Sequence, residues 1–168
     1  MRYMLFPGFS KSNREWACDL KDYFQQKGLD LHVVSWLHWQ QEKASFNINQ
    51  EAQRVVDITG DSEATIIAKS IGTELAAYLI SQNLIKVHRL ILLGIPSRSE
   101  LYKEALSQFD PTKVTVIQNS QDPKGYFSDV ERFIHSINPE IKVIEKKSSN
   151  HSYPYNELIY KLASQKIS

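Results

Sequence analysis

The feature that most constrains this 168-residue chain is a regular alternation of short apolar runs with longer amphipathic segments. Six runs rich in β-branched and aromatic residues predict strands at residues 3–6, 31–36, 64–68, 89–93, 114–118 and 141–145. Helical spacing predicts helices over residues 15–26, 71–82, 100–109, 127–137 and 156–165, and more weakly over 49–59. Strands that alternate with helices of this length form parallel sheets covered on both faces. We therefore predict an α/β fold, a doubly wound three-layer sandwich with a mostly parallel six-stranded sheet, as one domain over residues 1–168.

The composition excludes several functional classes. Twenty basic and nineteen acidic side chains leave a net charge of +1, so we expect neither nucleic acid nor an anionic membrane as partner. No apolar run approaches the roughly 18 residues of a membrane span, and the opening MRYMLFPG lacks a signal-peptide pattern. No Cys/His cluster has metal-ligand spacing and no glycine-rich phosphate loop is present, so we expect no metal and no cofactor. We expect a cytoplasmic protein, and the sequence indicates no oligomeric state.

The single cysteine, Cys18, cannot form an internal disulfide, which suits a reducing compartment. Its neighbours Trp16, Ala17 and Leu20 predict that it is a small, buried apolar residue.

The stretch IIAKSIGTELAA marks an abrupt change from strand to helix at Ser70. Ala68 and Gly72 lie two positions before and after this serine, and small residues there let a strand and a helix pass close together. One interpretation is an ordinary serine that caps the following helix. The other is a nucleophile held on a sharp turn.

Chemically useful residues follow three of the predicted strands. Ser70 follows the third strand, Asp122 the fifth and His151 the sixth, and functional groups gather at the carboxyl ends of parallel strands. A histidine can take the proton of a serine hydroxyl, and a carboxylate can hold the imidazole in the required tautomer. The order Ser, Asp, His is that of α/β-hydrolases. Asp122 before Pro123 also fits a simple turn.

Four short motifs carry a family resemblance that spans nearly the whole chain. AKSIGT resembles the nucleophile elbow of the α/β-hydrolase superfamily, in particular of its small, lid-less members. LFPGFS resembles the oxyanion loop, VTVIQNSQDP the acid-bearing turn, and SSNHSYP the histidine loop. The resemblance implies that Ser70 is the nucleophile, Asp122 the orienting acid and His151 the base. It also implies an oxyanion hole made by the backbone amides of Phe9 and Ile71.

The chain departs from the family pattern at two positions. Ala68 replaces the first glycine of the elbow, and Pro7 stands where many members have a histidine. Only residues 94–113 separate the fourth and fifth strands, which is too short for a lid domain once a helix is counted. We therefore expect an open, shallow site. We also expect the family's two usual N-terminal antiparallel strands to be absent.

Five residues near the carboxyl ends of strands are candidates for substrate binding: Ser10, Trp36, His38, Trp39 and Ile95. Aromatic side chains often line small-molecule sites, but the tryptophans fit aromatic packing at the sheet edge equally well. The same choice between pocket wall and packing is open for Tyr126, Phe127, Tyr153 and Tyr155.

The resemblance implies a serine hydrolase of the carboxylesterase or thioesterase type, with a small-molecule acyl substrate and an acyl-enzyme on Ser70. Because a fold alone does not establish function, one alternative is a degraded hydrolase that serves as an interaction module. A weaker alternative is a flavodoxin-like binding domain.

Overall fold

The computed structural model describes residues 1–40 and 45–165. The strands are β1 (Arg2–Phe6), β2 (Leu31–Val33), β3 (Ala64–Lys69), β4 (Val87–Leu93), β5 (Val114–Asn119) and β6 (Lys142–Lys146). They form one sheet in the order β2-β1-β3-β4-β5-β6, and each neighbouring pair is parallel. The predicted six-stranded α/β fold is confirmed, with a sheet that is parallel throughout.

The described residues form seven α-helices, six of which lie between strands while the seventh follows β6. They are α1 (Asn13–Gln26), α2 (Leu37–Gln40), α3 (Ile48–Thr59), α4 (Ile71–Ser81), α5 (Glu100–Ser107), α6 (Phe127–Ile137) and α7 (Asn156–Ser164), and a single 3-10 turn covers Pro111–Lys113. Between β4 and β5 the chain forms only α5 and that turn. No helix among the described residues is long and apolar enough to cross a membrane.

Each face of the sheet carries its own apolar core, as alternation along a two-sided buried strand requires. On β3, Ile66 and Ala68 pack toward the α3–α6 side, whereas Ile67 packs with α1 and α7. All six residues of β3 are buried, so this strand lies at the centre of the molecule. Lys69 lies two positions after Ile67 on the same strand, so its side chain faces the same side of the sheet, toward α1 and α7.

Two local predictions are wrong. The second strand ends at Val33 instead of residue 36: its last pair with β1 joins Leu5 to Val33, and β1 itself ends one residue later, at Phe6. The chain turns instead into the short helix α2. Cys18 is exposed, because α1 turns Ala17 and Leu20 toward the sheet and leaves position 18 on its outer face.

Candidate active site

Ser70 forms the turn between β3 and α4. Its φ is +53° and its ψ is −120°, a backbone conformation that non-glycine residues adopt only where the surrounding structure enforces it. The Ser70 amide donates to the Leu93 carbonyl at 2.9 Å, which ties the turn to β4. A Cβ built on Gly72 would lie 2.2 Å from the Phe6 carbonyl oxygen, so only glycine permits this close crossing of helix and strand.

The Ser70 side chain does not cap α4. No hydrogen bond runs from the helix to this hydroxyl, and among residues 1–40 and 45–165 no other group bonds to it. Capping serines accept a bond from the first helical turn, usually with extended backbone dihedrals. The capping interpretation therefore has no support in the geometry, and the half-buried hydroxyl is free for another partner.

Asp122 and His151 lie in direct contact. His151 Nδ1 is 2.7 Å from Asp122 Oδ2 and 2.9 Å from Oδ1, and the carboxylate is completely buried. An ionised carboxylate can only accept, so the imidazole carries its proton on Nδ1 and leaves Nε2 as an acceptor. That tautomer is the one a general base facing a hydroxyl needs.

Two further donors complete the environment of the carboxylate. The Tyr153 hydroxyl donates to Asp122 Oδ2 at 2.5 Å, and the Lys124 amide donates to Oδ1 at 2.8 Å. Burial opposes ionisation of Asp122, but the bonds from His151, Tyr153 and Lys124 outweigh it and lower the pKa of the carboxyl. Burial, followed by the bond to Asp122, raises the pKa of the Tyr153 hydroxyl, which keeps it a donor.

Ser70 and His151 both lie against residues 93 and 94, but no hydrogen bond joins their side chains. The Leu93 carbonyl accepts a hydrogen bond from the Ser70 amide. A Cβ on the next residue, Gly94, would lie 2.9 Å from His151 Cε1. His151 Nε2 is buried and has no partner within the described part of the chain. Catalytic hydrogen bonds are often long in a ligand-free site and shorten when substrate binds.

The loop of residues 7–10, which was predicted to supply an oxyanion amide, is contacted by aromatic side chains on its inner side. The Trp36 indole donates to the Gly8 carbonyl at 3.1 Å, and the Trp39 indole donates to the Phe9 carbonyl at 2.7 Å. His38 Nε2 lies 2.8 Å from the same Phe9 oxygen, and its ring stacks on Phe9 at 4.5 Å. Trp36 and Trp39 are almost completely buried, so they pack behind the loop and do not form an accessible wall.

The remaining predicted residues lie around this centre. Ser10 is exposed, and Ile95 is buried with its amide bonded to Gln118 Oε1 at 3.0 Å. The backbone amides of Phe9 and Ile71 donate no hydrogen bond to any described residue. The amide of Ile71 belongs to the first turn of α4, where helical amides have no partner within the helix.

Two cavities flank the acid and the base. One of about 540 Å³ is lined by His151 together with Ser10, Lys69 and residues of α1. The other, of about 300 Å³, is lined by Asp122 and Ile95. Ser70 is not among the residues that line either cavity. Within the described residues, no three His, Cys, Asp or Glu side chains are grouped as metal ligands would be.

The sequence did not predict the contacts of three residues near the candidate site. The sequence leaves two roles open for Tyr153, a pocket wall or packing, and the structure makes it a hydrogen-bond partner of Asp122. Lys69 and Asn13 are buried and bonded to each other at 2.5 Å. The one available signal is Lys69 itself, a charge at the end of a strand that is otherwise buried on both faces.

The strand order is compatible with both an α/β-hydrolase fold and a flavodoxin-like domain. Flavodoxin-like domains share the order 2-1-3-4-5, and their cofactor also binds at the carboxyl edge. The comparisons with known proteins separate them. A family model described as alpha/beta hydrolase fold matches residues 4–127, which is most of the chain. No curated protein gives a significant sequence match.

Solved structures with this fold include several bacterial proteins. An alpha-beta serine hydrolase homologue from Coxiella burnetii is 15% identical with a TM-score of 0.74, covering 97% of this chain and 83% of that one. The ydeN gene product from B. subtilis is 15% identical with a TM-score of 0.65, covering 97% and 98%.

An uncharacterized protein from Bacillus cereus is 16% identical with a TM-score of 0.72, and the match covers 97% of this chain. This chain spans only 59% of the length of that protein. Identities this low are evidence for the fold alone. The family match over residues 4–127 establishes that this chain belongs to the α/β-hydrolase fold family, and the solved structures agree with that fold, which is shared with hydrolases.

Proposed function

We propose that this protein is a serine hydrolase that cleaves a small ester, thioester or related acyl substrate through an acyl-enzyme on Ser70. The observation that carries the proposal is the backbone of Ser70. A serine with φ of +53° that caps nothing is strained without any structural benefit to the helix. Strain of this kind collects at functional sites, where it presents a side chain to a ligand.

The chemistry assigns a role to each member of the site. Ser70 Oγ attacks the acyl carbon while His151 Nε2 takes the hydroxyl proton, and the carbonyl electron pair moves onto oxygen. The amides of Phe9 and Ile71 donate to that oxyanion. His151 then gives its proton to the leaving oxygen or sulfur as the bond to the acyl carbon breaks. Asp122 stabilises the imidazolium in both steps.

Deacylation repeats the sequence with water as the nucleophile. His151 takes a proton from water as its oxygen bonds to the acyl carbon, and returns that proton to Ser70 Oγ as the serine ester breaks. The products are the free acid and the alcohol or thiol. No redox partner or metal is needed for this balance.

One observation favours a second candidate function. Ser70 Oγ and His151 Nε2 do not share a hydrogen bond, which is also what a degraded site in an interaction module would give. That alternative predicts a protein that binds a partner whether or not Ser70 is present. A pull-down in which Ser70→Ala abolishes partner binding would count against it.

Intact-protein mass spectrometry after fluorophosphonate treatment tests the proposal. An activated serine forms one stoichiometric adduct that maps to Ser70, and Ser70→Ala forms none. Ser120 is a matched control, since it is half-buried at the same edge of the sheet and follows β5. Ser120→Ala should label like the wild type. A folded wild-type protein that forms no adduct at Ser70 would overturn the proposal.

A further inference from the structure

Lys69 and Asn13 connect the strand that carries Ser70 to the oxyanion loop. We infer that this pair is a positioning device, which sets the distance between Ser70 and the Phe9 amide. The inference rests on the proposed function, because it concerns the geometry in which the oxyanion is bound.

The first half of the connection starts at the end of β3. Lys69 directly precedes Ser70, and its side chain faces α1. Its ammonium Nζ donates to Asn13 Oδ1 at 2.5 Å and lies 5.4 Å from the centre of the Trp16 ring. Lys69 and Asn13 are 7% and 8% exposed, so most of the surface of both side chains is removed from water.

The second half runs from Asn13 into the oxyanion loop. Both the Nδ2 and the backbone amide of Asn13 donate to the Ser10 carbonyl, each at 2.9 Å. A Cβ on Gly8 would lie 2.7 Å from Asn13 Oδ1, so the asparagine also packs against the bare backbone of Gly8. Asn13 therefore contacts the residues on both sides of Phe9.

A purely structural role does not explain a lysine at this position. Burying an ammonium group is unfavourable unless it is well paired, and an apolar side chain of similar length would fill the space without that penalty. No carboxylate among the described residues lies within ion-pair distance of Lys69. A buried charge bonded only to a neutral amide points to a function that requires it.

The protonation of Lys69 supplies an independent measurement. Burial lowers the pKa of its ammonium to about 8, and the charge of Asp122 only partly opposes this. The other titratable groups that line the same cavity are His151, Tyr153, Glu15 and Asp19. A charged donor makes a stronger hydrogen bond than a neutral amine, so the hydrogen bond from Lys69 to Asn13 should weaken above pH 8.

Two variants cut the connection at different points. Lys69→Met keeps the apolar stem over Trp16 but removes the donor. Asn13→Asp keeps an acceptor for Lys69 and removes the Nδ2 donor to the Ser10 carbonyl. Lys146→Met is the matched control, because Lys146 also ends a strand and lies 4.8 Å from an aromatic ring, that of Tyr155.

The readouts are the rate of fluorophosphonate labelling at Ser70 and the separate kcat and KM for a short-chain ester. Displacing an oxyanion donor should lower the labelling rate and kcat by about 10- to 100-fold with little change in KM. Both site variants should show this loss, and Lys146→Met should label like the wild type. Thermal unfolding followed by circular dichroism establishes that each variant is folded.

The pH profile distinguishes positioning from general stabilisation. The wild-type labelling rate should decline above pH 8, and the decline should be absent from Lys69→Met. In Asn13→Asp a carboxylate faces the ammonium, so the pKa of Lys69 rises and the decline should move to higher pH.

The outcomes separate this inference from the proposed function. If Ser70 in the wild type labels normally and folded Lys69→Met labels at the same rate with the same pH profile, the positioning role is wrong. If Lys69→Met does not fold, a folded Asn13→Asp that labels at the wild-type rate overturns it equally. If Ser70 of the folded wild type does not label at all, the proposed function is wrong and the positioning role is wrong with it.

Discussion

The two halves of the candidate site differ in how their polar atoms are satisfied. In the acid–base half, Asp122 accepts bonds from His151, Tyr153 and the Lys124 amide, and it has no exposed surface. In the nucleophile half, Ser70 Oγ and the amide of Ile71 bond to no described residue. The carboxylate is locked, whereas the atoms that would meet a substrate are free.

This difference shows where the fold stabilises the arrangement. A buried carboxylate without donors would be costly, so the acid–base half must be complete before any substrate arrives. The nucleophile half is held through its backbone instead, by the bond from the Ser70 amide to the Leu93 carbonyl and by the close approach at Gly72. Backbone anchoring leaves the Ser70 hydroxyl and the Ile71 amide unpaired, as the proposed preorganised site requires.

The largest expected effect comes from removing the free hydroxyl. Ser70→Ala should lower turnover of an ester substrate by about 10⁶-fold, if the three residues act as one unit. Steady-state kinetics with a short-chain ester checks this against Ser120→Ala, which should keep nearly full activity. A Ser70→Ala protein that retains most of its turnover would remove this serine from the mechanism.

The second-largest effect on turnover should come from changing Asp122 in the acid–base half. Asp122→Asn should lower turnover by about 10⁴-fold, because an amide cannot hold His151 in the tautomer with the proton on Nδ1. Asp110→Asn is the matched control, since both aspartates precede a proline but Asp110 is exposed and caps the 3-10 turn. A tenfold loss or less in Asp122→Asn would mean that another acid serves His151.

The nucleophile half also predicts an unusual dependence of stability on pH. The folded-state pKa of Lys69 is about 8, below the value of an exposed lysine. Between those two values the unfolded chain binds more protons than the folded one, so stability increases as the pH rises through this window. At neutral pH the buried ammonium costs on the order of 3 kcal/mol.

The contribution of the buried Lys69 ammonium is the difference between the free energies of unfolding of the wild type and Lys69→Met. Urea unfolding of both proteins at several pH values from 7 to 10 measures it. The wild type should gain stability with pH relative to the variant. Lys69→Met should equal or exceed the wild type at pH 7, because losing the buried charge offsets the lost hydrogen bond. Parallel stability curves for the two proteins would show that Lys69 titrates normally.

The smallest effect separates the donors around Asp122. Tyr153→Phe removes one hydroxyl donor, so the pKa of the Asp122 carboxyl should rise and turnover should fall by about tenfold. The pH profile of kcat/KM is measured for both tyrosine variants and the wild type. Tyr155→Phe is the matched control, because its hydroxyl donates to Asn119 Oδ1 and not to the carboxylate. Identical profiles for both variants would rule out a specific role for Tyr153.

Some of the fold follows from periodicity in the sequence, and some does not. The six strands and the longer helices were predictable, because burial on both faces of a strand and on one face of a helix leaves a repeating pattern. The short helix α2 and the early end of β2 were not. The segment after β2 is held by indole hydrogen bonds from Trp36 and Trp39 to carbonyl groups that lie 28 and 30 residues earlier in the chain, and such distant contacts leave no periodic pattern.

The sequence alone determined the α/β class and brought Ser70, Asp122 and His151 to one edge as candidates, because parallel strands joined by helices place all their carboxyl ends together. Only the tertiary structure decided that Ser70 has a positive φ and caps no helix, and that Tyr153 bonds to Asp122 and Lys69 to Asn13. The partners of those two residues lie 31 and 56 positions away in the chain. Hydrogen bonds between such distant residues leave no local pattern, since they exist only once the sheet has formed.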